Sequence, residues 1–251
     1  MGSCFLHWKL KLKLSFLLKQ TPFGIMRKCF QIMKWAVIFF FVSTVLSVLA
    51  FRWLPVPFTP LMVIRAGQAF VDHRPVNIHH EWISLKEMPP AMPQAVIASE
   101  DQNFMRHHGF DFGAIRQAVQ EKKERNRVRG ASTITQQTAK NVFLWPSSTW
   151  VRKGFEAYFT VLIELLWSKE RILEVYLNSI EMGPQTFGVQ AVAQRHFGCN
   201  ASQLRRKDCA LIAATLPNPL RYSSLRPSRY MQKRTRQIEH QMKFISPITW
   251  Q

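Results

Sequence analysis

Between Trp35 and Phe51 the hydrophobic pattern has no polar face. The chain reads WAVIFFFVSTVLSVLAF, seventeen residues without a charge, bounded by Lys34 and Arg52. With Trp35 and Trp53 counted at its edges, the stretch reaches the lower end of the length that crosses about 30 Å of hydrocarbon. Tryptophan at both boundaries suits the membrane–water interface. A cleaved signal has a shorter apolar core and a small-x-small site, which Arg52-Trp-Leu-Pro-Val-Pro lacks. The pattern therefore predicts one uncleaved transmembrane helix over residues 35–52.

Downstream the period changes. Residues 53–62 (WLPVPFTPLM) hold three prolines and read as an extended stalk, the start of a region to residue 87 with weak signals. MPPAMP at 88–93 punctuates the chain, and helical spacing follows. AVIASEDQNF (95–104) and IRQAVQEKKE (115–124) carry apolar residues three and four apart. EKKERNRVR (121–129) is nearly all charged and reads as a surface loop. RKGFEAYFTVLIELLW (152–167) and SKERILEVYLNSI (168–180) are helical, with Ser168 capping the second. GVQAVAQRHFG (188–198) and DCALIAATL (208–216) are helix-like, and the PNP at 217–219 ends the latter. Strand signals are few and no repeat is visible, so the fold class is mostly α.

Charge adds a topology. The 251 residues hold 34 Lys+Arg against 15 Asp+Glu, a net +19. Seven of those cations and no acid precede residue 35, which leaves +12 for the remainder. A basic segment over residues 1–34 holds the N-terminus in the cytoplasm, so residues 53–251 are expected beyond the inner membrane, in the periplasm. That placement excludes nucleic acid as the explanation of the outer charge. FLHWKLKLKLSFLLKQ (5–20) either lies on anionic lipid or precedes a true start at Met26. Four cysteines exclude a disulfide-dense scaffold. Cys199 and Cys209 fall on the oxidising side, where a bridge is allowed, but Cys209 sits in an apolar run that suits a buried thiol.

Four constellations carry candidate chemistry. In Glu100-Asp101-x-x-Phe104-x-x-His107-x-Gly109-x-Asp111, two acids end an apolar run. A carboxyl seated against apolar groups has a raised pKa and can act as an acid or base near neutrality. A plain helix charge followed by a structural Asp explains the same residues. In GASTITQQTAKN (130–141), a helix would align Ser132, Gln136 and Lys140 on one face and Thr133, Gln137 and Asn141 on the next. Hydroxyls, amides and one cation suit sugar hydroxyls and phosphate oxygens, although a solvated helix is the plainer account. In Arg152-Lys153-x-x-Glu156, the carboxylate heads a core stripe through Phe159 and Ile163. It should pair with a cation one turn back, as a structural ion pair or as a second acid facing the first. In Tyr176-Leu177-Asn178, the apolar members read as core and Asn178 as an internal hydrogen-bonding residue. The adjacent pairs His79-His80 and His107-His108 do not have metal-ligand spacing, so no metal site is assigned.

Taken together, these segments resemble the peptidoglycan glycosyltransferases, glycosyltransferase family 51, over residues 88 to about 225. EDQNFMRHHGFD (100–111), GASTITQQTAKN (130–141), RKGFEAYFTVLIE (152–164), RILEVYLNSIEMG (171–183) and ALIAATLPNPLRY (210–222) resemble its five motifs in order. No Ser-x-x-Lys with SxN and KTG follows, so the resemblance is to the monofunctional, membrane-anchored type. Ser223-Ser224 departs from the Asn-Pro common there, and Cys199 and Cys209 are unusual occupants.

The resemblance implies a mostly α, lysozyme-like domain over residues 88–246 with a small membrane-proximal jaw. It implies polymerisation of lipid II by inverting attack of an acceptor GlcNAc 4-hydroxyl on the donor MurNAc C1, releasing undecaprenyl pyrophosphate. Glu100 would be the general base, and Glu156 the second catalytic carboxylate, assigned to holding cations. Lys140, Arg152 and Lys153 would meet the pyrophosphate. Ser132, Gln136, Gln137 and Asn141 would contact sugar or phosphate. Asp101, Phe104 and His107 would hold the Glu100 turn. No cofactor is required, although a divalent cation (Mg or Mn) bridging the pyrophosphate is allowed. Partners are lipid II, the growing glycan strand and membrane lipids, with cell-wall synthesis or division proteins as further candidates. A lytic enzyme using Glu100 as its acid, or an inactive glycan-binding module, are the rivals.

Overall fold

The computed structural model describes residues 22–125 and 130–246. The chain divides into two compact units, residues 1–50 and 51–251. The N-terminal unit contributes one long helix, α1 (Pro22–Ala50). It starts well before the expected residue 35, because Arg27, Lys28, Gln31 and Lys34 are good helix formers and continue the apolar helix backwards. Ile25–Ala50, 26 residues of mean hydropathy 2.1, is long and apolar enough to cross a membrane. Its hydroxyls are satisfied within the helix: Thr44 Oγ1 donates to the Phe40 carbonyl at 2.8 Å and Ser47 Oγ to that of Thr44 at 2.8 Å. This is how a polar side chain is tolerated in hydrocarbon. Residues 5–20 lie outside the described residues.

In the second unit, residues 55–59 belong to no helix or strand and Thr59 is extended, but the expected stalk stops there. Pro60 opens helix α2 (Pro60–Val71). Proline at the first helical position lacks only an N–H that would have no partner, and Thr59 caps the turn by accepting from the Met62 N–H at 3.3 Å. Arg171 ties down the start of the unit. Its guanidinium donates to the Phe51 carbonyl at 3.0 Å and to that of Leu54, and lies 5.0 Å from the Trp82 ring centroid.

The remaining architecture is helical. Helix α3 (Ala91–Glu100) is followed by α4 (Phe112–Arg125), α5 (Ile134–Phe143), α6 (Trp150–Leu166) and α7 (Lys169–Ser179). A short α8 (Val189–Val192) runs into a π turn, and α9 (Arg206–Ala213) and α10 (Arg229–Gln241) follow. Two clusters form the core: α5 packs on α6 and α7, and α9 packs on α3 and α10. Phe143 and Phe159 stack at 4.6 Å in the first cluster. Helix α7 buries Ile172, Leu173, Val175 and Leu177 completely. At about 1.5–3 kcal/mol per buried aliphatic side chain, packing rather than propensity holds that helix. Ser168 caps it, accepting from the Arg171 N–H at 3.2 Å.

Three features depart from the sequence reading. Helix α3 ends at Glu100 rather than continuing to residue 104. Residues 121–125 belong to α4 rather than to a loop, because Gln117 and Gln120 donate to Glu121 and Glu124 one turn on; residues 126–129 lie outside the described set. A small sheet was also missed: β1 (His79–His80) runs parallel to β3 (Thr186–Phe187), which pairs antiparallel with β2 (Glu181–Gly183). Strands of two or three residues are too short to show alternation. Gly188 closes this sheet at φ +82°, where a Cβ would lie 2.6 Å from the Asn178 carbonyl oxygen. Asn178 bonds internally, accepting from the Ile83 N–H and donating to the Ile83 and Glu174 carbonyls. Cys199 and Cys209 are free thiols, and burial pushes that of Cys209 up to about 12.

Candidate active site

Helix α3 delivers Glu100 at its C-terminal end, where the helix dipole disfavours a negative charge. The apolar run before it, Ala95 to Ala98, is buried, so the carboxyl is drawn against the core. Burial is the main cause of its raised pKa, with Asp101 pushing the same way. Gln137, Ser99 and Arg234 oppose the rise. Gln137 Nε2 donates to one carboxylate oxygen at 3.1 Å and Ser99 Oγ to the other at 3.2 Å. The result is a carboxylate with spare acceptor capacity and a titration displaced toward neutrality.

The turn after Glu100 is built around Asp101. Its buried carboxylate accepts from His107 Nε2 at 2.9 and 3.0 Å and from the Ile134 N–H at 3.0 Å, the first helical residue of α5. Phe104 is fully buried, with the Lys169 ammonium 4.5 Å from its ring centroid. Gly109 reaches φ +84°, and a Cβ there would lie 2.8 Å from Thr160 Cγ2. Its carbonyl accepts from Thr133 Oγ1 at 2.6 Å. Two segments distant in sequence are thereby fastened beside Glu100.

Helix α5 starts later than the one-face reading of residues 132–140 assumed. Thr133 is its N-cap, accepting from the Gln136 N–H at 3.2 Å, while Gln136 Oε1 accepts from the Thr133 N–H at 3.0 Å. This capping box occupies the side-chain oxygen of Gln136, which is buried and turned back on the cap. Ser132 precedes the helix and is exposed. The Thr-x-x-Gln spacing was the sequence signal for both facts.

The remaining polar residues line neighbouring cavities that share wall residues. One of about 620 Å³ is lined by Glu100, Ser132, Gln137 and Arg234, together with Gln102 and Pro217. A neighbour of about 430 Å³ shares Glu100 and Ser132 and adds Asp101 and Asp111. A third, of about 420 Å³, shares Gln137 and Pro217 with the first and extends to Lys140, Asn141 and Arg152. Gln137 thus stands between a carboxylate and a cationic chamber. The Lys140 ammonium makes no hydrogen bond among the described residues, and its pKa is lowered, chiefly by burial. A desolvated ammonium with unspent donors is suited to an anionic ligand.

Glu156 is buried behind that chamber. Arg152 donates to it at 2.5 Å and Lys153 donates to its other oxygen. Of the two readings left open by the sequence, the ion pair is the one formed. Arg152 also donates to the Ser147 carbonyl at 2.5 Å, which fixes its guanidinium at the cavity wall. Sequence reasoning missed three contributors: Arg234 at the Glu100 cavity, Tyr176 behind Gln137, and Arg65, which pairs with Glu181 at 2.8 Å on the cationic chamber. Among the described residues no group of three or more His, Cys, Asp or Glu could hold a metal ion. The one carboxylate lining the cationic chamber, Glu181, is bound by Arg65.

A buried carboxyl at a helix end, a capped polar helix and a cation-lined cavity thus lie side by side in a mostly helical unit. Residues 68–243 match the transglycosylase family, and the chain belongs to that family. It is 57% identical over 208 residues to the biosynthetic peptidoglycan transglycosylase of Bacteroides thetaiotaomicron, covering 83% of this chain and 84% of that one. It is 53% identical over 208 residues to that of Bdellovibrio bacteriovorus, covering 82% and 83%. It is 47% identical over 219 residues to that of Pseudomonas aeruginosa, covering 87% and 93%.

Proposed function

We propose that this chain is a membrane-anchored peptidoglycan glycosyltransferase that polymerises lipid II. The observation that carries the reading is the place of Gln137 in the walls of two neighbouring cavities, one holding a carboxylate of raised pKa and the other an ammonium with no hydrogen-bond partner among the described residues. Glycosyl transfer from a pyrophosphate needs both. Glu100 takes the proton from the acceptor GlcNAc 4-hydroxyl as its oxygen attacks C1 of the donor MurNAc from the face opposite the leaving group. The C1–O bond to phosphate breaks, and its electron pair leaves with undecaprenyl pyrophosphate, so the anomeric centre inverts. A pyrophosphate requires neutralisation more than protonation, and Lys140 and Arg152 supply it. Glu156 holds Arg152 and Lys153 and takes no part in proton transfer. No step requires a metal.

The anchor confines the enzyme to the plane in which a lipid-linked substrate diffuses. The cations before residue 35 favour a cytoplasmic N-terminus and a catalytic unit on the outer face of the inner membrane. Exposed apolar side chains on α2 and α6, among them Val63, Phe70, Trp150, Val161 and Leu165, suit a surface resting in the headgroup region. The +12 charge beyond residue 34 favours anionic lipid and a pyrophosphate substrate.

The test is incubation of the detergent-solubilised full chain with labelled lipid II. Long glycan strands with released undecaprenyl pyrophosphate are expected. Shortening of finished glycan with no polymer from lipid II would instead identify a lytic enzyme.

A further inference from the structure

We propose that Tyr176, which no substrate can reach, is a positioning residue that sets the working state of Glu100 through the side-chain amide of Gln137. This rests on Glu100 being the base. The geometry is a three-member chain across elements far apart in sequence. Tyr176 Oη donates to Gln137 Oε1 at 3.0 Å, and Gln137 Nε2 donates to Glu100 Oε2 at 3.1 Å.

The direction of the chain follows from the groups. Tyr176 is 1% exposed on α7, and its hydroxyl makes no other hydrogen bond among the described residues. Burial, reinforced by Glu100 and Asp101, raises its pKa well above the ordinary value, so it keeps its proton. The buried O–H therefore needs an acceptor, and the only oxygen it meets is that of the Gln137 amide. If the amide flipped, the tyrosine proton would face an NH2 and the Glu100 carboxylate would face a carbonyl. Tyr176 thus selects the amide orientation that donates to, and so favours, the ionised base. It also polarises the amide and strengthens the second hydrogen bond.

The carboxyl is balanced between opposing influences, which is why one amide matters. Burial and the neighbouring Asp101, just past the end of α3, disfavour its charge, whereas Ser99, Arg234 on α10 and Gln137 on α5 favour it. Lys140, further along α5, also interacts with it electrostatically. Removing the tyrosine hydroxyl frees the amide to turn, and a carbonyl against Glu100 stabilises the protonated acid. The base is then ionised only at higher pH.

The experiment compares pH profiles of kcat for wild type, Tyr176→Phe, Gln137→Met and the double variant, using the full chain and lipid II. With one hydrogen bond at stake, Tyr176→Phe should move the acidic limb upward by about half to one pH unit. On that limb turnover should fall about three- to tenfold, recovering toward wild type at high pH. Gln137→Met should shift the limb the same way, and adding Tyr176→Phe to it should produce no further shift. A purely structural tyrosine would lower turnover at every pH without moving the limb, and that outcome overturns the proposal. So does an equal shift from Tyr176→Phe in the Gln137→Met background. If Tyr176→Phe does not fold, the limb of Gln137→Met decides: unmoved, the relay is wrong. Glu100→Gln separates the two claims, since an active variant removes the base itself, whereas an inactive one with an unmoved Tyr176→Phe limb removes only the relay.

Discussion

Replacing Asp101 by Asn tests how Glu100 is held. The native carboxylate serves two buried donors at once, His107 Nε2 and the Ile134 N–H. The His107 and Asp101 side chains are only 9% and 3% exposed, so water cannot take over. Asparagine keeps the shape, and its oxygen in the Oδ2 place still accepts from both donors, but its NH2 then replaces the Oδ1 that lies 2.9 Å from His107 Nε2, donor against donor, so one N–H is left without an acceptor. One orphaned buried donor costs about 1–3 kcal/mol. For a unit of this size, about 2 kcal/mol corresponds to a fall of about 4–8 °C in the thermal midpoint. Asp101→Ala, which removes both acceptors, should cost more, about 3–5 kcal/mol. The assay is thermal unfolding of the detergent-solubilised chain beside lipid II turnover well below the midpoint. There, Asp101→Asn should lower kcat about tenfold or more with little change in KM, because the helix end bearing Glu100 has lost its tie to α5. An unchanged midpoint combined with lost turnover would refute this, and would mean that Asp101 acts on substrate rather than on the turn.

Other consequences can be checked the same way. Lys140→Met should lower kcat/KM for lipid II by about ten- to a hundredfold, the scale of a charge-assisted contact to phosphate, with an unchanged midpoint; an unchanged rate at limiting lipid II would sink the phosphate assignment. Gly188→Ala combines a left-handed φ with a backbone clash against Asn178, and should lower stability by about 1–3 kcal/mol or more in a denaturant titration. Glu100→Gln should leave the midpoint at neutral pH equal to or above that of wild type. Because the folded pKa of Glu100 is raised, the native state holds its proton at pH values where the unfolded chain has lost it, so this group's contribution to stability falls as pH rises through that window. A lower midpoint for the amide would contradict the burial argument.

What the sequence disclosed was local chemistry. Ser168 as a cap and Glu156 one turn from Arg152 and Lys153 depend on neighbours within a few positions, whereas Asn178 bonds Glu174 locally but also Ile83, 95 positions away. The charged run at 121–125 misled because solvent exposure was taken for irregular backbone, although Glu, Lys and Arg are good helix formers. Pro60 misled in the opposite sense: a third proline in a row looked like more stalk but is the first residue of a helix. For Gln136 the Thr-x-x-Gln spacing is itself the local signal that its side-chain oxygen serves the cap. The link of Tyr176 to Gln137, 39 positions away, and the approach of Arg234 to the Glu100 cavity depend on how helices pack, which no short window records.

The central claim is that Glu100 is the base of a polymerising transferase. The direct measurement follows labelled lipid II through wild-type and Glu100→Gln protein side by side, with lipid II binding measured for both. The account predicts glycan strands from the wild type alone, with binding retained by the variant. Substantial polymer from Glu100→Gln would contradict it.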